Sequence, residues 1–377
     1  MYSRLFRHPK NKSFFLFGPR ATGKSSWIKA NFKNCIYLDL LESDIYQNLL
    51  ANPKRLSQYI TSSSPWVIID EVQKVPEVLN EVHRLIENEK LKFILTGSSA
   101  RKLKSKGTNL LAGRAITKYL FPLTTVEAGK DFNLPKALKY GMLPSVFSEE
   151  NPREYLKSYV TTFLKEEVQQ EGLTRSLGAF SRFLEAASFS QGCELNISDV
   201  ARDCAVERKT VESYFYILED LLLARRLSVF SKRAKRKLSL HPKFYFFDAG
   251  VFRAIRPSGP LDSPEEIDGA ALETIVFQEL LAINEYFDLE YEIYFWRTAD
   301  KSEVDFILYG PKGIVAIEVK RSNRINKEDL VGLKKFTADY PNAKAYMLYG
   351  GSRELNLGKI KALPIEIWLP KIIEILK

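Results

Sequence analysis

The 377-residue sequence predicts an α/β fold in successive parts: a parallel sheet, a helical stretch, then a second sheet mixed with helices. Three observations predict it. FFLFGPRATGKSSWIKANF, near the start, is a short apolar strand, a glycine-bearing loop and a helix. ELNISDVARDCAVERKTVESYFYILEDLLLARRL, in the middle, has a helical period interrupted by one turn. YEIYFWR, EVDFILY and GIVAIEVK, near the end, are apolar or alternating runs of strand length. The expected division is 1–125, 126–175, 176–248 and 249–377.

Composition bounds the function. Hydrophobic residues make up 45% and charged residues 27%, a globular balance that excludes a disordered chain. No apolar run nears the roughly 18–20 residues of a membrane helix. The apolar stretch in MYSRLFRHPKNKSFFLFG is only about five residues, too short for a signal-peptide core. A cytoplasmic protein with no membrane partner is the expectation. Cys35, Cys193 and Cys204 lack metal-ligand spacing, and His8, His83 and His241 are scattered. A zinc site, a Cys–His nucleophile and a structural disulfide are therefore disfavoured. A net charge of +10 leans toward a polyanionic partner.

The first loop, Gly18–Pro19–Arg20–Ala21–Thr22–Gly23–Lys24–Ser25, matches G-x-x-x-x-G-K-[ST]. In that motif glycines let backbone N–H groups wrap phosphates, the lysine reaches the β- and γ-phosphates, and the hydroxyl binds Mg²⁺. Ser26, next in the chain, is counted with the loop among the expected nucleotide-binding residues. A second apolar run, Trp66 to Ile69, delivers Asp70 and Glu71 to the carboxyl edge of the sheet, where ligands bind in parallel α/β folds. Asp70 is the expected Mg²⁺ holder, and Glu71 the base that orients and deprotonates water. A third run, KFILTGSS, ends in hydroxyls, with Thr96 or Ser98 facing the γ-phosphate or the water.

Over roughly residues 10–125 these motifs resemble the AAA+ class of P-loop ATPases, and in particular a bacterial and archaeal family that adds a carboxyl-terminal domain of uncertain role. The resemblance implies ATP and Mg²⁺ as cofactors, ATP hydrolysis, and a homo-oligomer of unspecified size. LLAGRAITKYLFPLT is similar to the family's stretch after the fourth core strand, which makes Arg114 the candidate γ-phosphate sensor and Arg101 the runner-up.

The segment 126–175 is helical and motif-free, with Tyr155, Tyr159, Thr162 and Phe163 forming a core-type stripe. After it, a short helix from Ile197 carries Val200 and Ala201. A turn at Ala205–Val206 leads to a longer helix with Val211, Phe215, Leu218, Leu221 and Leu222 inward. Glu207, Arg208, Lys209, Thr210 and Ser213 face outward. A β-hairpin then presents a basic tip: Lys232, Arg233, Lys235, Arg236 and Lys237. Helix-turn-helix plus hairpin resembles a winged-helix domain. DNA is the partner that such a tip suggests, through its phosphates; protein docking is the rival.

In the last part a helix over about 265–285 puts Glu273 beside Phe277 and Leu280, an unusual place for a carboxylate. The strands that follow, then a helix and the strand AKAYMLYG, give the order α-β-β-β-α-β. With Asp305 and Glu318-x-Lys320, this resembles the PD-(D/E)XK nuclease-like fold. Residues i and i+2 of a strand face one way, so Glu318 and Lys320 project together and Asp305 can lie beside them. The expectation is one Mg²⁺ or Mn²⁺ held by Asp305 and Glu318, with Glu273 added from the helix. Lys320 then positions water or offsets developing charge, Glu303 stands in reserve, and Arg297 pairs with these carboxylates or with a phosphate. The rival is a closed ion-pair cluster, Lys320 with Glu318 and Arg297 with Asp305. Three functions fit: an ATP-regulated DNA-cutting enzyme, an ATP-switched DNA-binding or docking module with an inactive nuclease-like domain, and a protein-remodelling ATPase.

Overall fold

A computed structural model describes residues 2–60, 66–98, 103, 111, 113–164, 168, 176–260 and 262–377. The chain forms two compact units, Met1–Pro122 with Asp220–Leu223, and Leu123–Glu219 with Ala224–Lys377.

The first unit alternates strand and helix: β1 Ser13–Phe17, α1 Lys24–Asn31, β2 Cys35–Asp39, α2 Ser43–Ala51, β3 Trp66–Asp70, α3 Val78–Glu89, β4 Lys92–Gly97 and β5 Ala115–Tyr119. The five strands are all parallel in the order β2-β3-β4-β1-β5. Every residue of β1 and β3 is buried, which is why both read as continuous apolar runs rather than alternating ones. Phe15, Phe17, Val67, Ile69, Leu95 and the inner face of α3 share one core. Because β4 lies between β1 and β3, three strands end side by side at one edge. Ile69 is level with Leu95, which sets Asp70 next to Thr96.

The second unit begins with helices α4 Leu134–Tyr140, α5 Pro152–Ser158, α6 Leu177–Ser188, α7 Ile197–Cys204 and α8 Arg208–Asp220. An antiparallel pair follows, β6 Ala224–Leu227 with β7 Lys243–Phe246, then α9 Ala249–Ile255 and the long α10 Pro264–Tyr286. The second sheet comprises β8 Glu292–Arg297, β9 Glu303–Gly310, β10 Gly313–Lys320, β11 Lys344–Tyr349, β12 Leu355–Leu357 and β13 Ile360–Pro364, with α11 Val331–Asp339 between β10 and β11. Its order is β12-β13-β11-β10-β9-β8. β8, β9 and β10 are antiparallel, and β10 runs parallel to β11. The α-β-β-β-α-β order expected from the sequence is present.

Three local expectations need correction. Thr162 is exposed, so the stripe that begins in α5 keeps only Tyr159 as a fully buried member among its described side chains. α8 stops at Asp220; Leu221 and Leu222 lie in a turn, with Leu222 in the left-handed region at φ 60°. The basic run is not a projecting hairpin tip. Between β6 and β7 the chain lies along β8, an edge strand whose backbone groups need partners. Phe230 N–H donates to Phe295 O at 2.7 Å, Ser239 N–H to Arg297 O at 3.0 Å, and Ala299 N–H to Lys237 O at 3.0 Å. Phe230 is buried with Trp296 and Phe336 and fastens this segment down.

Candidate functional site

The loop after β1 turns through two left-handed residues, Ala21 at φ 65° and Gly23 at φ 90°. Gly18 is required by packing: a Cβ there would lie 2.3 Å from the carbonyl oxygen of Leu120. Thr22 Oγ1 donates to Pro19 O at 2.9 Å and closes the loop from within. Arg4 donates from outside, to Thr22 O at 2.7 Å and Phe121 O at 2.6 Å. Lys24, the first residue of α1, is buried, and its ammonium donates to Gly18 O at 2.7 Å and Pro19 O at 3.1 Å. The ammonium is thus folded over the loop, at a helix N-terminus suited to anions. Arg20 and Ser26 are exposed on the rim.

Asp70 is 4% exposed and accepts three hydroxyl hydrogen bonds: from Ser25 at 2.8 Å, from Tyr37, and from Thr96. All three of these donors are neutral. Burial and Asp70 together push the Tyr37 phenol well above the usual tyrosine range. Glu71 follows in the left-handed region, φ 59° and ψ 43°, a conformation that costs a non-glycine residue roughly 1–3 kcal/mol. Its N–H donates to Thr96 Oγ1 at 3.2 Å, and Gln73 Nε2 donates to its carboxylate. Thr96 therefore ties Asp70 and Glu71 together, while Ser98 is buried at the end of β4. The donor set fits a nucleoside triphosphate with Mg²⁺: a buried ammonium, a loop at a helix N-terminus, and a serine hydroxyl beside an aspartate. Arg114 is paired with Glu87 on α3 and holds that carboxyl below its ordinary range. Arg101 lies outside the described residues. Sequence reasoning missed Tyr37, Gln73 and Arg4. Gln73 carried a signal, its spacing of two from Glu71; the other two carried none.

In the second unit Asp305 and Glu318 are both nearly buried, and the expected metal centre takes a different form. Lys243, on β7, is 2% exposed and places its ammonium among three carboxylates. It pairs with Glu303, with Asp305 at 3.1 Å, and with Glu273 at 3.6 Å. Tyr245, on the same face of β7 by the i, i+2 rule, donates its hydroxyl to Glu273 at 2.8 Å. The second oxygen of Asp305 accepts the Val319 N–H at 2.9 Å. Lys320 pairs with Glu318 at 3.3 Å, and Arg297 with Glu303 at 2.6 Å and Glu194 at 3.3 Å. Among the described residues no group of three or more acidic, histidine or cysteine side chains is arranged to hold a metal ion.

Where the sequence suggested one shared metal, the structure places the Lys243 ammonium between Glu273 and Asp305. Of the rival's two pairs, Lys320 with Glu318 forms, while Arg297 takes Glu303 in place of Asp305. Burial opposes the Lys243 charge, but Tyr245, Glu273, Asp305 and Glu303 outweigh it and raise it well above the lysine range. Burial lifts Glu273 to about 7 and Glu318 well above the carboxylate range, where Asp305 adds repulsion. One oxygen of Glu318 is buried without a hydrogen-bond partner among the described residues. In this arrangement Lys243 and Lys320 already pair with the four carboxylates Glu273, Glu303, Asp305 and Glu318. Lys243 was legible in part, as a lone lysine opening the apolar run KFYF.

The comparisons with known proteins agree with the first unit. A family model described as an AAA domain matches residues 10–128. The first third of the chain is of AAA type. Two models described as domains of unknown function, DUF8612 and DUF4143, match residues 131–262 and 268–368. An uncharacterized protein of Haemophilus influenzae is 23% identical over 308 residues, spanning 77% of this chain and 73% of its own length.

Beyond the AAA domain, the basic residues divide. Lys232 pairs with Glu292 at 2.5 Å and lies over the Tyr309 ring at 4.2 Å; Arg236 pairs with Asp339 at 2.6 Å. Arg233, Lys235 and Lys237 have no ion pair among the described residues; Arg208 and Lys209, opening α8, are exposed. No helix among the described residues is long and apolar enough to cross a membrane.

Proposed function

We propose that this chain binds and hydrolyses ATP in its AAA domain and uses its second unit to hold nucleic acid that it does not cut. The AAA match supports nucleotide binding and ATPase activity in general. When bound, Mg²⁺ and the triphosphate supply the electrophilic phosphorus and the charge neutralisation that hydrolysis needs. Lys24 would leave the Gly18 and Pro19 carbonyls for the phosphates. Ser25 and Asp70, already 2.8 Å apart, would hold the metal from one side. Glu71, aimed by Gln73 and by its own strained backbone, would take the proton of the attacking water on a carboxylate oxygen.

For the second unit, α7, α8 and the β6–β7 pair support the winged-helix reading. The α-β-β-β-α-β order with Asp305, Glu318 and Lys320 supports a nuclease-like ancestry. One observation carries the non-cutting reading: the Lys243 ammonium, 2% exposed, among Glu273, Glu303 and Asp305. A fold alone does not give activity; the site does.

The test measures ATP turnover and DNA binding by the wild type and by Lys24→Ala, with cleavage of labelled DNA assayed in Mg²⁺ and Mn²⁺. Turnover lost with Lys24→Ala, together with DNA binding and no cleavage, is the expected outcome. Turnover that survives Lys24→Ala moves the nucleotide site elsewhere. Cleavage that Asp305→Ala abolishes would make the protein a nuclease. A wild type that binds no DNA turns the search to protein clients.

A further inference from the structure

Where α9 crosses α4, Gly250 lets the helices touch: a Cβ there would sit 2.0 Å from Tyr140 O. The close crossing, with α5 alongside, frames a cavity of about 450 Å³. Five of its lining residues are basic and none is acidic: Lys139 from α4, Arg153 and Lys157 from α5, and Arg253 and Arg256 at the end of α9. Two of the five are fixed. Arg253 pairs with Asp268 at 2.6 Å, and Arg256 pairs with Asp262 at 3.0 Å while lying over Phe189 at 4.4 Å. The other three are exposed and have no ion pair among the described residues. Arg153 and Lys157 are four apart on one helix face, a like-charge arrangement that weakens a helix unless an anion offsets it. Among the described residues Arg256 Nε is buried without an acceptor.

We infer that this cleft binds the phosphodiester backbone of a nucleic-acid strand. The inference rests on the nucleic-acid reading above and names a surface for it, separate from the run 232–237. One observation favours a strand over a compact anion: a second cavity of about 460 Å³ shares Lys139 and Arg253 and adds Arg321, which carries the lining beyond one phosphate group, with Asp268, paired to both arginines, and Glu366 also on its wall.

The test is fluorescence anisotropy of random-sequence single- and double-stranded oligonucleotides across a salt series. The triple variant Lys139→Ala/Arg153→Ala/Lys157→Ala is compared with Lys312→Ala/Lys359→Ala/Lys361→Ala, which removes the same charge from exposed positions elsewhere in the unit. The inference expects the cleft variant to bind at least tenfold more weakly, with a duplex salt slope shallower by about three units. The control should differ from wild type by less than threefold, and both variants should keep their ATP turnover. Equal binding by the two variants overturns the cleft. Inorganic polyphosphate or free nucleotide that occupies the cleft while oligonucleotides do not overturns the strand assignment. A wild type that binds no oligonucleotide overturns the parent reading as well.

Discussion

Asp70 and Asp305 are both nearly buried aspartates on β-strands, 4% and 6% exposed, yet their neighbours differ in kind. Asp70 is held by the hydroxyls of Ser25, Tyr37 and Thr96, all neutral. Asp305 is held by a full positive charge, Lys243, that is itself sealed from solvent. A hydroxyl can turn from a carboxylate to a metal at the cost of one hydrogen bond, about 1 kcal/mol net. A buried ammonium cannot leave without stranding charge, which costs roughly 3–5 kcal/mol. Two carboxylates that look alike in sequence thus differ in readiness for a cation.

The strongest way to break this contrast is Lys243→Met. Glu273, Glu303 and Asp305 then lose their common partner, and the variant should be less stable by about 3–5 kcal/mol, read from chemical denaturation. Mn²⁺ should restore part of that loss in the variant and leave the wild-type midpoint unchanged. Stabilisation of the wild type by Mn²⁺ would show that its cluster is open to metal after all.

At the other site, Asp70→Asn should lower ATP turnover on the order of a hundredfold, the usual scale for removing one preorganised electrostatic group. Near-normal turnover would take Asp70 out of the site.

Glu279 supplies a second case, a buried carboxylate held by a threonine rather than by an ammonium. Its carboxylate accepts from the Thr125 N–H and hydroxyl, both at 3.0 Å, and burial raises it from 4.5 to about 8. Between those values the folded chain keeps a proton that the unfolded chain has lost. Its contribution is therefore fully present below about pH 4.5 and declines as pH rises toward 8, by up to about 1.4 kcal/mol per unit. Denaturation of wild type and Glu279→Gln at pH 5, 6.5 and 8 should show the wild type losing more stability with pH. Parallel profiles would mean that Glu279 ionises in place.

Much of this was legible in sequence because it is local. The loop Gly18–Ser25, the aspartate–glutamate pair at the end of β3, and the strands bearing Asp305 and Glu318 each lie within one short run with a clear period. What was not legible comes from long separations. Lys243 reaches Asp305 across 62 positions and Tyr37 reaches Asp70 across 33, and no spacing rule links them. The basic run misled because five like charges read as a free tip. Phe230, close before them, was the apolar anchor that lays the segment along β8.

Tyr37→Phe gives the smallest effect and bears most directly on the contrast. If Asp70 is held by exchangeable hydroxyls, losing one of three should change little, because Ser25 and Thr96 remain. The Mg²⁺ concentration for half-maximal turnover should move by no more than about fivefold, the equivalent of one net hydrogen bond. The phenol also competes with a metal for the oxygen that Ser25 uses, so any shift should be toward tighter Mg²⁺ binding. A loss as large as that of Asp70→Asn would make Tyr37 a positioning residue that fixes the carboxylate rigidly. Asp70 would then resemble Asp305, with a fixed partner of its own, and the difference between the sites would lie only in the charge of that partner.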